Sequence, residues 1–312
     1  MTPVIRGDIV TILISSSRRI GPTESIFITD LVGLSISGAS GSGPLLLNNA
    51  GLITVSSNST SIVAGINFLR DSFFSNAVFT NEATGVFRVL STGIGNPTLG
   101  FTADQGFGGW NGDMVNAGLF EVIAVSQAVG IYTSDMYFRF ENSGTFRVSS
   151  STQEAWGVWA MNGATVINTN LMEVAGRSAT GVLLERNSSL DNSGTIRTTA
   201  LVAGERSAAV VVRASAIESC RIINSGLIDG SIAILDESYL YSPVQNAIQR
   251  VENSGIIRGI VDLRHGADQL LNSGLIEGEV KLGYGDDLYD GRGGSQIGGV
   301  YGGFGADRLI GG

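Results

Sequence analysis

Residues 253–279 read NSGIIRGIVDLRHGADQLLNSGLIEGE, and the return of Asn-Ser-Gly at Asn253 and Asn272, 19 residues apart, decides the fold. In each copy an apolar residue, Ile257 or Ile276, stands two places after the glycine, and a charged one, Arg258 or Glu277, comes next. Working outward, the phrase recurs as NAGLITV from Asn49, NAGLFEV from Asn116, NSGTFRV from Asn142, NSGTIRT from Asn192 and NSGLIDG from Asn224. Degraded copies, ATGVFRV from Ala83 and NTNLMEV from Asn168, fill the gaps. The glycine column, Gly51, Gly85, Gly118, Gly144, Asn170, Gly194, Gly226, Gly255 and Gly274, has separations between 19 and 34 residues. Repeats of that size and irregularity suit coils of a β-solenoid with loops of different length, whereas a propeller or helical solenoid would hold its period.

Three columns sharpen the reading. Two places after the glycine lie Ile53, Phe87, Phe120, Phe146, Met172, Ile196, Ile228, Ile257 and Ile276, and strand alternation sends such an unbroken apolar column inward. The next column runs Thr54, Arg88, Glu121, Arg147, Glu173, Arg197, Asp229, Arg258, Glu277, with the sign alternating from Arg88 onward. Coils stacked about 4.8 Å apart would pair these charges, each exposed pair contributing about 0.2–1 kcal/mol. The asparagine column, broken only at Ala83, supplies amides able to bridge successive corners. Further apolar segments at 130–132, 157–159, 181–183, 209–211 and 217–223 give about three strands per coil. The expectation is an all-β, right-handed parallel β-helix solenoid. Residues 1–47 are expected to form an N-terminal cap or irregular first coils, 48–260 the NSG-type coils, and 261–312 acidic, glycine-rich coils continuous with them.

That last region contains LGYGDDLYDGRGGSQIGGVYGGFGADRLIGG at 282–312. The half-phrase Gly-x-Asp-x-apolar occurs at Gly266, Gly285 and Gly305, placing Asp268, Asp287 and Asp307 at separations of 19 and 20 residues. Such spacing predicts one acidic corner repeated in successive coils. Glycines permit turn conformations closed to other residues, and carboxylate and carbonyl oxygens are the ligands a hard cation such as calcium prefers. The candidate metal residues are therefore Asp268, Asp287 and Asp307, with the turn glycines Gly283, Gly285, Gly303 and Gly305.

The phrase at 302–310 resembles the RTX, or haemolysin-type, calcium-binding repeat family at every defined place. The copy before it has Leu282 where the first glycine belongs, and the copy before that has Arg264 and His265 in place of paired glycines. This resemblance covers roughly the last 50 residues. It implies calcium held between aligned turns, bacterial release by a type I secretion route, and calcium-driven folding outside the cell. The NSG coils resemble the β-helical regions of secreted passenger and adhesin-like proteins, which implies a noncatalytic scaffold with a polysaccharide or cell-surface partner.

Composition narrows the field. A net charge of −9 with one lysine, Lys281, argues against nucleic acid or an anionic membrane as partner. The apolar run at 9–14 is too short to span a bilayer and makes no convincing signal peptide. Cys220, alone, excludes an intrachain disulfide and is expected as a small buried hydrophobe; His265 has no histidine partner and is expected at the surface. The alternative function is a calcium-dependent carbohydrate-active enzyme, a polysaccharide lyase, hydrolase or epimerase. Its candidate sugar-contacting residues are Phe107, Trp110, Asp113, Trp156 and Trp159, and no catalytic residue can be assigned. Gly311 and Gly312 read as the opening of another turn, so the array is expected to continue.

Overall fold

The structure is a computed structural model and describes residues 4–5, 12–14, 18–29, 32–36, 45–68, 77–103, 112–134, 137–214, 218–238 and 248–311. Among them there is no α-helix, and none that could cross a membrane. All strand pairing is parallel, each strand bonding to the one that the chain reaches on its next circuit. One circuit runs Leu119–Ala124, Ala128–Thr133, Arg139–Asn142; the next runs Thr145–Ser150, Ala155–Ala160, Thr165–Asn168 directly alongside. Strands of the third kind make a single 12-stranded sheet, and the first two kinds belong to a 22-stranded one. These long parallel sheets, with no closed barrel, are compatible with a parallel β-helix or solenoid. Parallel pairing reaches into residues 1–47, where Ser25–Thr29 pairs with the strand Leu52–Ser57.

The apolar column stacks in register from Ile26 through Ile53, Phe87, Phe120, Phe146, Met172, Ile196, Ile228 and Ile257 to Ile276. Every member from Ile53 onward has 0% exposure, so burial of these side chains is the main stabilising contribution in each circuit. The phenylalanine rings are nearly parallel, with centroids 5.0 Å apart for Phe87 and Phe120 and 5.1 Å for Phe120 and Phe146. Opposite them the second face supplies Gly65, Gly100 and Gly130. A Cβ on Gly130 would lie 2.4 Å from Phe146 Cζ, so the rings occupy the space those glycines leave. Glycine persists at Gly157 and Gly181, where a Cβ on the latter would lie 3.0 Å from Ile196 Cγ2, and alanine takes over only at Ala209 and Ala233.

Beside this core runs an amide ladder. The Nδ2 of Asn49, Asn81, Asn116, Asn142, Asn168, Asn192, Asn224 and Asn253 each donates to Oδ1 of the next asparagine, at 2.7–2.8 Å, ending on Asn272. Most also donate to a backbone carbonyl of the following circuit, as Asn142 does to Leu171 at 3.0 Å. All are essentially buried. The expected gap at Ala83 does not exist. Asn81 fills the rung, because this corner carries two extra residues before Gly85. The neighbouring glycine column is fixed by crowding: a Cβ on Gly226 would sit 2.0 Å from the carbonyl oxygen of Gly194.

The charge column also stacks as expected, Arg88 on Glu121, Arg147 on Glu173, Arg197 on Asp229, and Arg258 on Glu277. Contacts fall between 2.6 and 3.0 Å within these pairs, and Arg258 reaches back to Asp229 at 3.9 Å. Each arginine therefore closes on the acid that follows it. Because the arginine side chains are 38–49% exposed, each pair contributes only about 0.2–1 kcal/mol.

Two predictions follow from these ladders. Asn142→Ala removes the acceptor for Asn116 Nδ2 and the donor to Leu171 in a dry corner, and should cost about 3 kcal/mol, read as lost hydrogen-exchange protection at 116–171. An unchanged exchange pattern there would show that the ladder is not structural. Arg197→Glu, standing between Glu173 and Asp229, should cost under about 1 kcal/mol in low salt and less in high salt, read by urea unfolding at the two ionic strengths; a cost independent of salt would count against the charge ladder.

Candidate metal centre

Near the carboxyl end the circuits shorten to 19 and 20 residues, and the corner between the second and third faces becomes a tight glycine turn. Gly283 and Gly303 stack in register, with φ of 111° and 108°; Gly285 and Gly305 follow with φ of 135° and 139°. These left-handed values exclude ordinary side chains at low cost. The close approach adds a second reason, since a Cβ on Gly305 would lie 1.8 Å from the Gly285 carbonyl oxygen. Successive turns thus bring the carbonyl oxygen of one circuit against the glycine Cα of the next. In the preceding turn Arg264 stands at the place of Gly283 and Gly303 with φ of 57°, and His265 lies flat on Tyr284, which lies on Phe304, with centroid spacings of 4.9 Å. With Arg264 and His265 in it this turn still keeps the same path, Arg264 adopting a backbone conformation that costs of order 1–3 kcal/mol.

The three predicted aspartates share one column. Asp268 Oδ1 accepts from the Gln249 N–H at 2.7 Å, Asp287 Oδ1 from the Asp268 N–H at 2.7 Å, and Asp307 Oδ1 from the Asp287 N–H at 3.2 Å. One carboxylate oxygen on each aspartate is thereby spent on holding the circuit below. The other is not: Oδ2 of Asp268 and Oδ2 of Asp287 are buried without a hydrogen-bond partner, on side chains 0% and 2% exposed. Asp307 is half-buried, and the adjacent Asp286 accepts from the Ala306 N–H at 2.8 Å.

Burial pushes the Asp268 carboxyl up to about 9, with the charges of Asp236 and Asp287 adding to it and the Gln249 N–H opposing it. Asp287 is pushed up to about 6, again first by burial, with Asp307 and Asp286 contributing. Arg292, by contrast, hydrogen-bonds Asp290 and holds it at about 2. Buried carboxylates with a bare oxygen need a proton or a cation, and a hard divalent ion suits an all-oxygen corner. Among the described residues no group of three or more His, Cys, Asp or Glu side chains gathers closely enough to hold a metal. An ion at this corner would therefore have two adjacent members of the column Asp268, Asp287 and Asp307 as carboxylate ligands and would need further oxygens, such as turn carbonyls, to complete its shell. The residues present fit such an ion in donor chemistry.

Sequence reasoning missed two members of this neighbourhood. Gln249 is the rung before Asp268, its Oε1 accepting from the Cys220 N–H at 3.3 Å, and Asp236 lies 1% exposed at the end of the strand Leu227–Asp236. Neither follows a glycine phrase. Cys220 is buried as expected, and burial pushes its thiol up to about 12.

The residues weighed for sugar contact do not gather. Phe107 and Trp110 lie outside the described residues. Trp156 and Trp159, centroids 4.8 Å apart, sit half-buried against Leu183, Val211 and Leu235 on the outer side of the second face. Asp113 opens a different strand, Asp113–Asn116, in the third face. An open groove of about 530 Å³ on that face is lined by Glu252, Asp290, Arg292 and the corner serines Ser254 and Ser273. Arginines hold both of its acids in the charged form, Glu252 through Arg221 and Arg250, so neither is set to donate a proton.

The raised aspartates fix a pH dependence. Their folded-state values exceed the roughly 3.9 of a free aspartate, so the folded chain holds protons that the unfolded chain has already lost. In chelator, stability should fall as pH rises from about 4 through the Asp287 value of about 6 and on toward the Asp268 value of about 9. Urea unfolding at pH 5, 7 and 9 measures this, and Asp287→Asn should lessen the fall between pH 5 and 7 while leaving the part owed to Asp268. A flat profile would mean that these carboxylates are solvated, and a slope of opposite sign that the fold stabilises their charged form. No family model, curated protein or solved structure matches the chain.

Proposed function

We propose that the chain is a secreted, noncatalytic scaffold of the right-handed parallel β-helix type, adhesin-like in role, whose carboxyl-terminal coils bind calcium. The observation that carries the reading is the column of Asp268, Asp287 and Asp307, with two buried, unpartnered carboxylate oxygens beside tightly stacked glycine turns. Like charges stacked in adjacent circuits repel when bare, and a divalent ion between them turns that repulsion into cohesion. The likeness of 302–310 to the RTX phrase supports calcium over other hard cations and supports extracellular placement, where calcium is abundant. Export by a type I route belongs to the same proposal.

The carbohydrate-active alternative has less support. The two acids that share a groove are both held ionised, and the tryptophan pair is engaged in packing. A long, repetitive rod with alternating surface charge suits display or spacing better than turnover.

Calorimetric calcium titration tests the proposal, alongside hydrogen exchange at 282–311 in calcium and in chelator. Calcium at 100 times its Kd should stabilise the last coils by about 2.7 kcal/mol and leave residues 112–200 unchanged. Asp287→Asn and Asp307→Asn should each remove most of that gain. No heat of binding and equal protection in both conditions would overturn the assignment.

A further inference from the structure

Asp236 breaks the pattern of its own column. The positions stacked with it, Ala160, Leu184 and Val212 before it and Leu263 and Leu282 after it, are aliphatic and 0% exposed. Asp236 occupies the same interior position at 1% exposure. Its Oδ1 accepts from the Ser238 N–H at 2.7 Å, and its Oδ2 is buried without a partner. Across the corner, in the same circuit, lies Gln249, whose Nε2 is also buried without a partner; directly above Gln249 lies Asp268 with its bare Oδ2. Three circuits of aliphatic packing thus meet a corner where two carboxylates and an amide face the interior. A side chain that the surrounding column would replace with leucine or valine at a gain in stability calls for a different reason to be there.

We propose that Asp236 and Asp268, one circuit apart, form a buried divalent-cation site that no glycine phrase marks, with the Gln249 side chain on its wall. The proposal rests on the cation-binding reading of the acidic corner and carries it one circuit deeper into the aliphatic part of the stack. Two carboxylates supply a charge of −2 that a calcium-sized ion balances, and their unspent Oδ2 atoms are the ligands. The described charges nearby do not balance them: Arg264 is engaged with Asp262 at 3.5 Å, and Asp287 adds a further negative charge on the far side of Asp268. The competing occupant is a single proton shared between the two acids.

Asp236→Leu and Asp236→Asn in the full chain separate these cases. Leucine restores the aliphatic column, so the variant should melt higher than the parent in chelator, which also shows that it folds. In calcium titration its stoichiometry should fall by one ion, while Asp287→Asn and Asp307→Asn lose ions at the other turns. Asparagine keeps the shape and should lose the same ion. Unchanged stoichiometry in both Asp236 variants, with loss in the Asp287 and Asp307 variants, would overturn this site alone and leave the shared proton as the explanation. Absence of any calcium binding in the parent would overturn both this site and the broader reading.

Discussion

A buried side-chain amide between stacked coils has nowhere to turn but along the stack. Each asparagine from Asn49 to Asn272 sits in a corner closed to water, and its donor and acceptor are satisfied only when neighbouring circuits present an asparagine in the same register. A slip of one residue would strand an amide and also turn the apolar column outward. Register, corner geometry and core are therefore set by one constraint. The glycines beside the ladder follow from it, since the corners close so tightly that a Cβ would collide with the carbonyl below. Circuits of different length are tolerated because excess residues leave as loops between strands, where the ladder makes no demand.

Much of this was legible in the sequence because the same residue types serve the same place in every circuit. The apolar column and the charge alternation were read from spacing alone and stack as written. Spacing was misleading at Ala83. There a two-residue insertion at one corner displaced the asparagine from its expected offset, and only the partners of Asn81 reveal it. The alternation implied an even ladder, yet each arginine closes on the acid after it, because one guanidinium commits to one near carboxylate.

At the acidic end the sequence announced the residues that follow glycines and was silent on those that do not. Asp268, Asp287 and Asp307 share a column because their offsets from Gly266, Gly285 and Gly305 are equal. Gln249 and Asp236 reach the same corner by a longer path, past an insertion, and have no offset to betray them. Arg264 shows the complementary case, a residue that is no glycine and still takes the left-handed conformation, stacked tightly against Gly283 of the following turn.

The amide ladder also has a direction. Every Nδ2 points toward the following circuit, and the backbone N–H groups that meet Asp268, Asp287 and Asp307 point the same way. Side-chain dipoles aligned head to tail over nine circuits add rather than cancel, as peptide dipoles do along a helix. Their positive end faces the acidic coils. Inside the row each positive end cancels the negative end that it meets, so only the last amides of the row, at Asn253 and Asn272, bias the potential near the acidic coils, and they do so in the direction that opposes the rise burial imposes on Asp268 and Asp287.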